Sequence, residues 1–108
     1  MYPSWIDDLP KVDTTFSGAS GALIDSPSGQ VVLWNFPEGG VVPPHRHGPQ
    51  IGIVIAGQVD LEVAGTVTSQ LKGDFFTIAN DEEHAARVHP GTQVIEIFQE
   101  PGRHQARQ

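Results

Sequence analysis

The chain has 108 residues, the length of one ordinary domain. Thirteen acidic residues face six basic ones, a formal charge of -7 with histidine neutral. No Lys/Arg cluster offsets that sign, which argues against a nucleic-acid partner. The sequence has no cysteine, so disulfides, thiolate metal ligands and thiol nucleophiles are excluded.

With 38% hydrophobic residues and no low-complexity tract, the composition suits a folded chain with a modest core. The N-terminus, Met1 to Asp8, lacks the basic and apolar regions of a secretory signal. The longest apolar or glycine run, Ile51 to Gly57, is far too short to cross a bilayer. A cytoplasmic protein without membrane association is the expectation.

Glycine and proline punctuate the chain at short intervals, and strand-like runs lie between them. In chain order they are Ala22–Asp25, Gln30–Phe36, Ile51–Ala56, Gln58–Val63, Thr66–Leu71, Asp74–Ile78, His84–Val88 and Thr92–Phe98. Val59-Asp60-Leu61-Glu62-Val63 alternates with a period of two, giving one wet and one buried face. Ser26-Pro27-Ser28-Gly29, Pro37-Glu38-Gly39-Gly40 and Ala64-Gly65 carry turn chemistry. Many short strands joined by turns predict an all-β sandwich or barrel. Residues 102–108 read as a polar tail that frays. His89 and His104 read as surface residues.

His45 and His47 are one residue apart, and on a strand they would share one face. Pro43 and Pro44 precede them and argue against a regular central strand there. Gln50 follows shortly after, and His84 lies beyond the turn-like Asn80-Asp81-Glu82-Glu83. Neutral imidazole suits Zn, Cu, Fe and Ni. Three His and one Gln are all neutral donors, so such a site would favour an anionic substrate or hydroxide. Taken alone, a His-x-His pair is weak evidence for a metal, and a purely structural role is the commoner reading.

The last strand poses a second question. Val94, Glu96 and Phe98 share one face, where a carboxylate among apolar residues is anomalous. Turned inward, Glu96 would have a raised pKa suited to acid–base work. The alternative turns Ile95 and Ile97 inward and leaves Glu96 at a rim or interface. Trp34 and Phe36 fit either a substrate pocket or core packing.

Gly39-(x5)-His45-x-His47-(x2)-Gln50-(x6)-Gly57 resembles the first motif of the cupin superfamily, and Gly73-Asp74-(x9)-His84 resembles the second. The resemblance spans about residues 30 to 99. It implies a single all-β domain over 1–108, a small antiparallel double-stranded β-helix (jelly-roll) barrel with its core at about 20–100. It implies a homodimer as the usual assembly. It also implies one divalent metal ion (Zn, Ni, Mn, Fe or Cu) on His45, His47, Gln50 and His84, with Gln50 where most cupins carry Glu. The chain departs from the pattern by one residue fewer between His47 and Gln50. Ala79, Asp81 and Val88 stand for the usual Pro, Gly and Asn.

Gln50-Ile51-Gly52-Ile53-Val54, Ile95-Glu96-Ile97-Phe98 and Pro101-x-Arg103 resemble, more narrowly, the small cupins of pectin and alginate breakdown, which open cyclic unsaturated uronates to linear keto forms. That resemblance implies Glu96 as the acidic catalytic residue and Phe98 as a pocket aromatic. It implies Arg103 as a carboxylate-binding residue, one position further from Phe98 than usual. The expected activity is metal-dependent isomerase or lyase chemistry on a small oxygenated acid. A dioxygenase ranks second, because a carboxylate would stabilise an oxidised metal better than Gln50 does. A non-catalytic barrel that binds or senses a small ligand, and a vestigial barrel, are the other readings.

Overall fold

The structure, a computed structural model, describes residues 2–107. Among the described residues a 3-10 helix, Ser4–Asp8, is followed by nine strands. These are β1 Ser20–Ser26, β2 Gly29–Phe36, β3 Gly40–His45, β4 Gln50–Ala56, β5 Gln58–Val63, β6 Thr66–Leu71, β7 Phe75–Ile78, β8 His84–Val88 and β9 Thr92–Phe98. They make two antiparallel sheets, ordered β1-β2-β9-β4-β7 and β3-β8-β5-β6. From β2 onward the chain crosses repeatedly between the sheets, the jelly-roll that the family resemblance implies. Among the described residues no helix is long and apolar enough to cross a membrane.

Alternation builds the core. Gln30, Val32, Trp34 and Phe36 are the buried residues of β2, every second position. Trp34 and Phe36 stack at 5.0 Å and pack with Leu23, Val88, Val94 and Phe98. Two motif glycines sit where the chain changes sheets. Gly39 has φ 71° between β2 and β3, and Gly57 has φ 80° between β4 and β5. A Cβ on Gly57 would lie 2.4 Å from Thr92 Oγ1, so the corner demands both the left-handed φ and the missing side chain.

β3 is a strand that the prolines seemed to forbid. It lies at a sheet edge, where Pro43 and Pro44 need not donate to a ladder, and its register shifts between Val42 and His45. The strand ends at His45, so His47 stands on the following loop and the pair does not share a strand face as expected.

The tail expectation is also corrected. Residues 102–107 are tied across the domain, and Gln108 lies outside the described residues. The amides of Asp13 and Arg107 donate to Gln105 O (2.8 Å) and Lys11 O (2.7 Å). Gln30, only 2% exposed, clamps the peptide of His104. Its Oε1 accepts from His104 N at 2.8 Å, and its Nε2 donates to His104 O at 2.9 Å. A short polar segment can be held this firmly because the clamp supplies backbone partners from inside the domain.

The outer faces of the two sheets differ. The four-stranded sheet shows Asp60, Glu62 and Arg87 to solvent, as a wetted antiparallel sheet does. The five-stranded sheet presents Ile24, Val31, Ile97, Ile51 and Thr77 as one row of cross-strand neighbours. No charged residue lies among them, and Ile24, Ile51 and Ile97 are exposed. The N-terminal segment covers one end of this face, where Tyr2 donates to Trp34 O at 2.8 Å.

Candidate metal and acid–base site

Three imidazoles meet at one end of the space between the sheets. His45 closes β3 and His84 opens β8, and the two are cross-strand partners. His47 joins them from the loop. The ring centroids lie 4.2 Å (His45–His84), 4.6 Å (His47–His84) and 5.0 Å (His45–His47) apart. One nitrogen from each ring falls within 4.8 Å of the others.

The loop carrying His47 is fastened to the loop before His84. Asp81 N donates to His47 O (2.8 Å), and Arg46 Nη1 donates to Asp81 O (2.7 Å). Asp81, in the place of the usual glycine, adopts φ 60°, a conformation that aspartate tolerates better than most residues. The Arg46–Glu83 pair at 3.0 Å is half-exposed, so it guides the loop rather than stabilising it strongly.

The hydrogen bonds decide which nitrogen each ring presents. Nδ1 of His45, His47 and His84 faces Pro43 O (3.0 Å), Gly48 O (2.7 Å) and Glu82 O (2.8 Å), respectively. A carbonyl oxygen only accepts, so each Nδ1 carries the hydrogen and donates it. Each Nε2 is left with its lone pair, the form in which imidazole binds metal. Burial lowers the pKa of His47 and His84, with the neighbouring His45 and Arg103 charges acting in the same direction. Both causes favour the neutral form. The donor set therefore fits a borderline divalent metal.

Gln50 and Glu96 form the next layer. Gln50, at the start of β4, is 5% exposed. Its Nε2 donates a hydrogen bond to Glu96 Oε2. This orients the amide and leaves its Oε1 available to a cation. Glu96 faces inward, and Ile95 and Ile97 face outward, settling the question of the last strand. Trp34 Nε1 donates to Glu96 Oε1 at 2.6 Å. Burial raises the Glu96 pKa, while Trp34, Arg103 and Gln50 pull it down. Glu96 is thus a carboxylate held by a donor on each oxygen, in surroundings that resist its charge.

These residues line a cavity of about 120 Å³ together with Phe36, Phe98 and Arg103. Phe98 packs edge-on against His47 at 5.6 Å. Trp34 is both a core residue and the donor to Glu96, so the two sequence alternatives for it coincide. Every candidate site residue named from the sequence therefore borders one cavity. His89 remains on the outer side, where its Nε2 meets Asp60 Oδ2 at 2.6 Å.

His104 was missed. It is not a surface residue but packs edge-on against Phe98 (5.1 Å) and Trp34 (5.8 Å) and lines the same cavity. Its position depends on the Gln30 clamp 74 residues away, which no local pattern announces.

The cupin-domain family model matches residues 32–98. Among solved structures, KdgF from Halomonas sp. is similar at 28% identity, with 85% of this chain and 86% of that one covered and a TM-score of 0.73. An RmlC-like cupin from Shewanella frigidimarina is similar in fold at 21% identity, covering 89% and 87%, with a TM-score of 0.75. A cupin superfamily protein from Desulfitobacterium hafniense gives 13%, 82%, 83% and 0.71. No curated protein sequence matches the chain. With its two motifs folded into facing sheets and its histidines gathered at one mouth, this chain belongs to the cupin family.

Proposed function

We propose that the protein is a metal-dependent enzyme that rearranges a small oxygenated acid, with a cyclic unsaturated uronate as the first candidate. The observation that carries this reading is Glu96. It is a carboxylate of raised pKa, gripped by Trp34 and Gln50, beside three imidazoles with free Nε2 lone pairs. A purely structural barrel has no use for a carboxylate facing its interior.

A metal on His45, His47 and His84, with Gln50 Oε1, would polarise a carbonyl or hydroxyl oxygen as a Lewis acid. The protein residues do the rest. Arg103 offers a guanidinium to the substrate carboxylate. Phe36 and Phe98 exclude water from the reacting end. Glu96 accepts and returns a proton.

Opening a cyclic unsaturated uronate is an isomerisation. The anomeric hydroxyl loses its proton, the bond from the anomeric carbon to the ring oxygen breaks, and the alkene carbon that does not bear that oxygen gains a proton as the enol becomes a ketone. No oxidant or reductant is consumed. The likeness to KdgF and the narrower motif resemblance support this substrate class over other small acids.

Two experiments test the reading. Elemental analysis of the purified protein and of His47→Ala is expected to find one metal per chain that the variant loses. Proton NMR of an unsaturated galacturonate monomer is expected to show its ring vinyl signal disappear with wild type and persist with Glu96→Gln, which retains the metal. Turnover undiminished in Glu96→Gln would refute the assignment. Ligand binding without turnover would favour a sensing barrel.

A further inference from the structure

Two polar atoms of the cavity wall, on adjacent residues, are enclosed and have no hydrogen-bond partner among the described residues. They are Arg103 Nε and His104 Nε2. Folded proteins leave few such groups, and each one asks for an explanation. Both residues sit on the segment after β9, and both line the cavity of the metal and acid–base site.

The segment is held as though its position matters. The Gln30 side chain bonds both polar groups of the His104 peptide and also Asp25 Oδ1 (3.1 Å). The Val12–Ala106 bridge fixes the chain just beyond. The His104 ring is wedged between Trp34 and Phe98, which sets its plane. Burial, with help from the Arg103 and His47 charges, lowers its pKa to about 4, so the ring is neutral at pH 7. A neutral imidazole can both donate and accept, and it discriminates by hydrogen bonding rather than by charge.

We propose that His104 is a specificity-determining residue, whose Nε2 hydrogen-bonds the hydroxyl, carbonyl or ring oxygen beside the carboxylate of a small acid while Arg103 holds that carboxylate. Gln30 is then the positioning residue that delivers both side chains to the cavity. The inference rests on the small-acid reading above and adds a second polar contact to it. The ligand is one that carries an oxygen function next to its carboxylate, the pattern that a guanidinium and an imidazole on consecutive residues can span. Acids lacking that oxygen leave Nε2 unpaired and bind less well.

The test uses metal-loaded protein and two probes, D-galacturonate and glycolate, the smallest 2-hydroxy acid. Nitrogen-15 NMR follows the His104 ring, and calorimetry gives the affinities. The Nε2 signal is expected to shift on adding probe. His104→Phe keeps the aromatic wedge and is expected at pH 7 to retain metal content and Tm while losing about tenfold in affinity, one hydrogen bond's worth. His104→Gln is expected to recover part of that loss. Gln30→Leu, with His104 intact, is expected to weaken binding similarly by loosening the segment.

A shift with glycolate alone keeps the role of His104 and overturns the sugar-acid reading. No shift with either probe, or unchanged affinity in His104→Phe, overturns the proposal and makes the ring an aromatic filler.

Discussion

Replacing Gln50 by Glu tests the link between the acid–base residue and the metal ligands. In the wild type a neutral amide donates to Glu96 Oε2. The variant sets a second carboxylate against the first, with no hydrogen between them unless one group is protonated. Two unit charges about 4 Å apart repel by about 4 kcal/mol at an effective dielectric near 20. At about 1.4 kcal/mol per unit, one of the two carboxyls is raised by about 3 pKa units.

In the unfolded chain both glutamates ionise near their ordinary value of about 4.3. The folded variant therefore binds more protons than the unfolded one above that pH, and its stability falls as pH rises. The loss relative to wild type is expected to be about 1 kcal/mol at pH 5. It should reach about 4 kcal/mol by pH 8, where it levels off. Urea denaturation of metal-free protein at a series of pH values measures it. Wild-type Glu96 has its own raised pKa, so the difference between the two proteins is the quantity to follow. Adding zinc is expected to narrow that difference, because a cation at the histidines compensates the second charge. A stability difference independent of pH would refute the facing-carboxylate geometry.

Other predictions follow from the same contacts. Trp34→Phe keeps the ring against Phe36 but removes the donor at 2.6 Å from Glu96. It is expected to cost about 1.5–3 kcal/mol. It should also raise the Glu96 pKa further, read by carbon-13 NMR of the carboxyl. An unmoved pKa would count against the contact. The lowered pKa values of His47, His84 and His104 mean that the unfolded chain binds more protons below about pH 6.5. Metal-free protein is therefore expected to lose stability to these groups as pH falls from there toward 4, and His104→Phe should flatten the lower part of a Tm–pH curve. Finally, the uncharged outer face of the five-stranded sheet is expected to pair with a second copy. It is where chains of formal charge -7 can meet without like charges facing. Ile97→Glu is expected to give monomers in sedimentation, and a monomeric wild type at high micromolar concentration would refute the pairing.

Much of this architecture was legible in the sequence. Gln58–Val63, Thr66–Leu71, His84–Val88 and Thr92–Phe98 appear with the bounds read from alternation and turn residues. Alternation persists in Gln58–Val63 and Thr92–Phe98 because each has one face in the core and one outside, whereas Thr66–Leu71 lies at a sheet edge with no buried residue. The ligand candidates were legible too, because His45, His47, Gln50 and His84 carry the chemistry in their side chains wherever they are placed.

What the tertiary structure decided was direction and proximity. β3 passes through Pro43 and Pro44 because it lies at an edge, which local propensity does not encode. In β9 both faces are apolar, Val94 and Phe98 on one and Ile95 and Ile97 on the other, so period two alone cannot say which turns inward. Pairing with β2 and β4 does, by placing Glu96 opposite Val32 and Gly52. His104 enters the cavity only because Gln30, far away in sequence, holds both its backbone N–H and its C=O. Residue types and their period are local properties, whereas which face is buried and which distant side chains meet depends on how the two sheets close on one another.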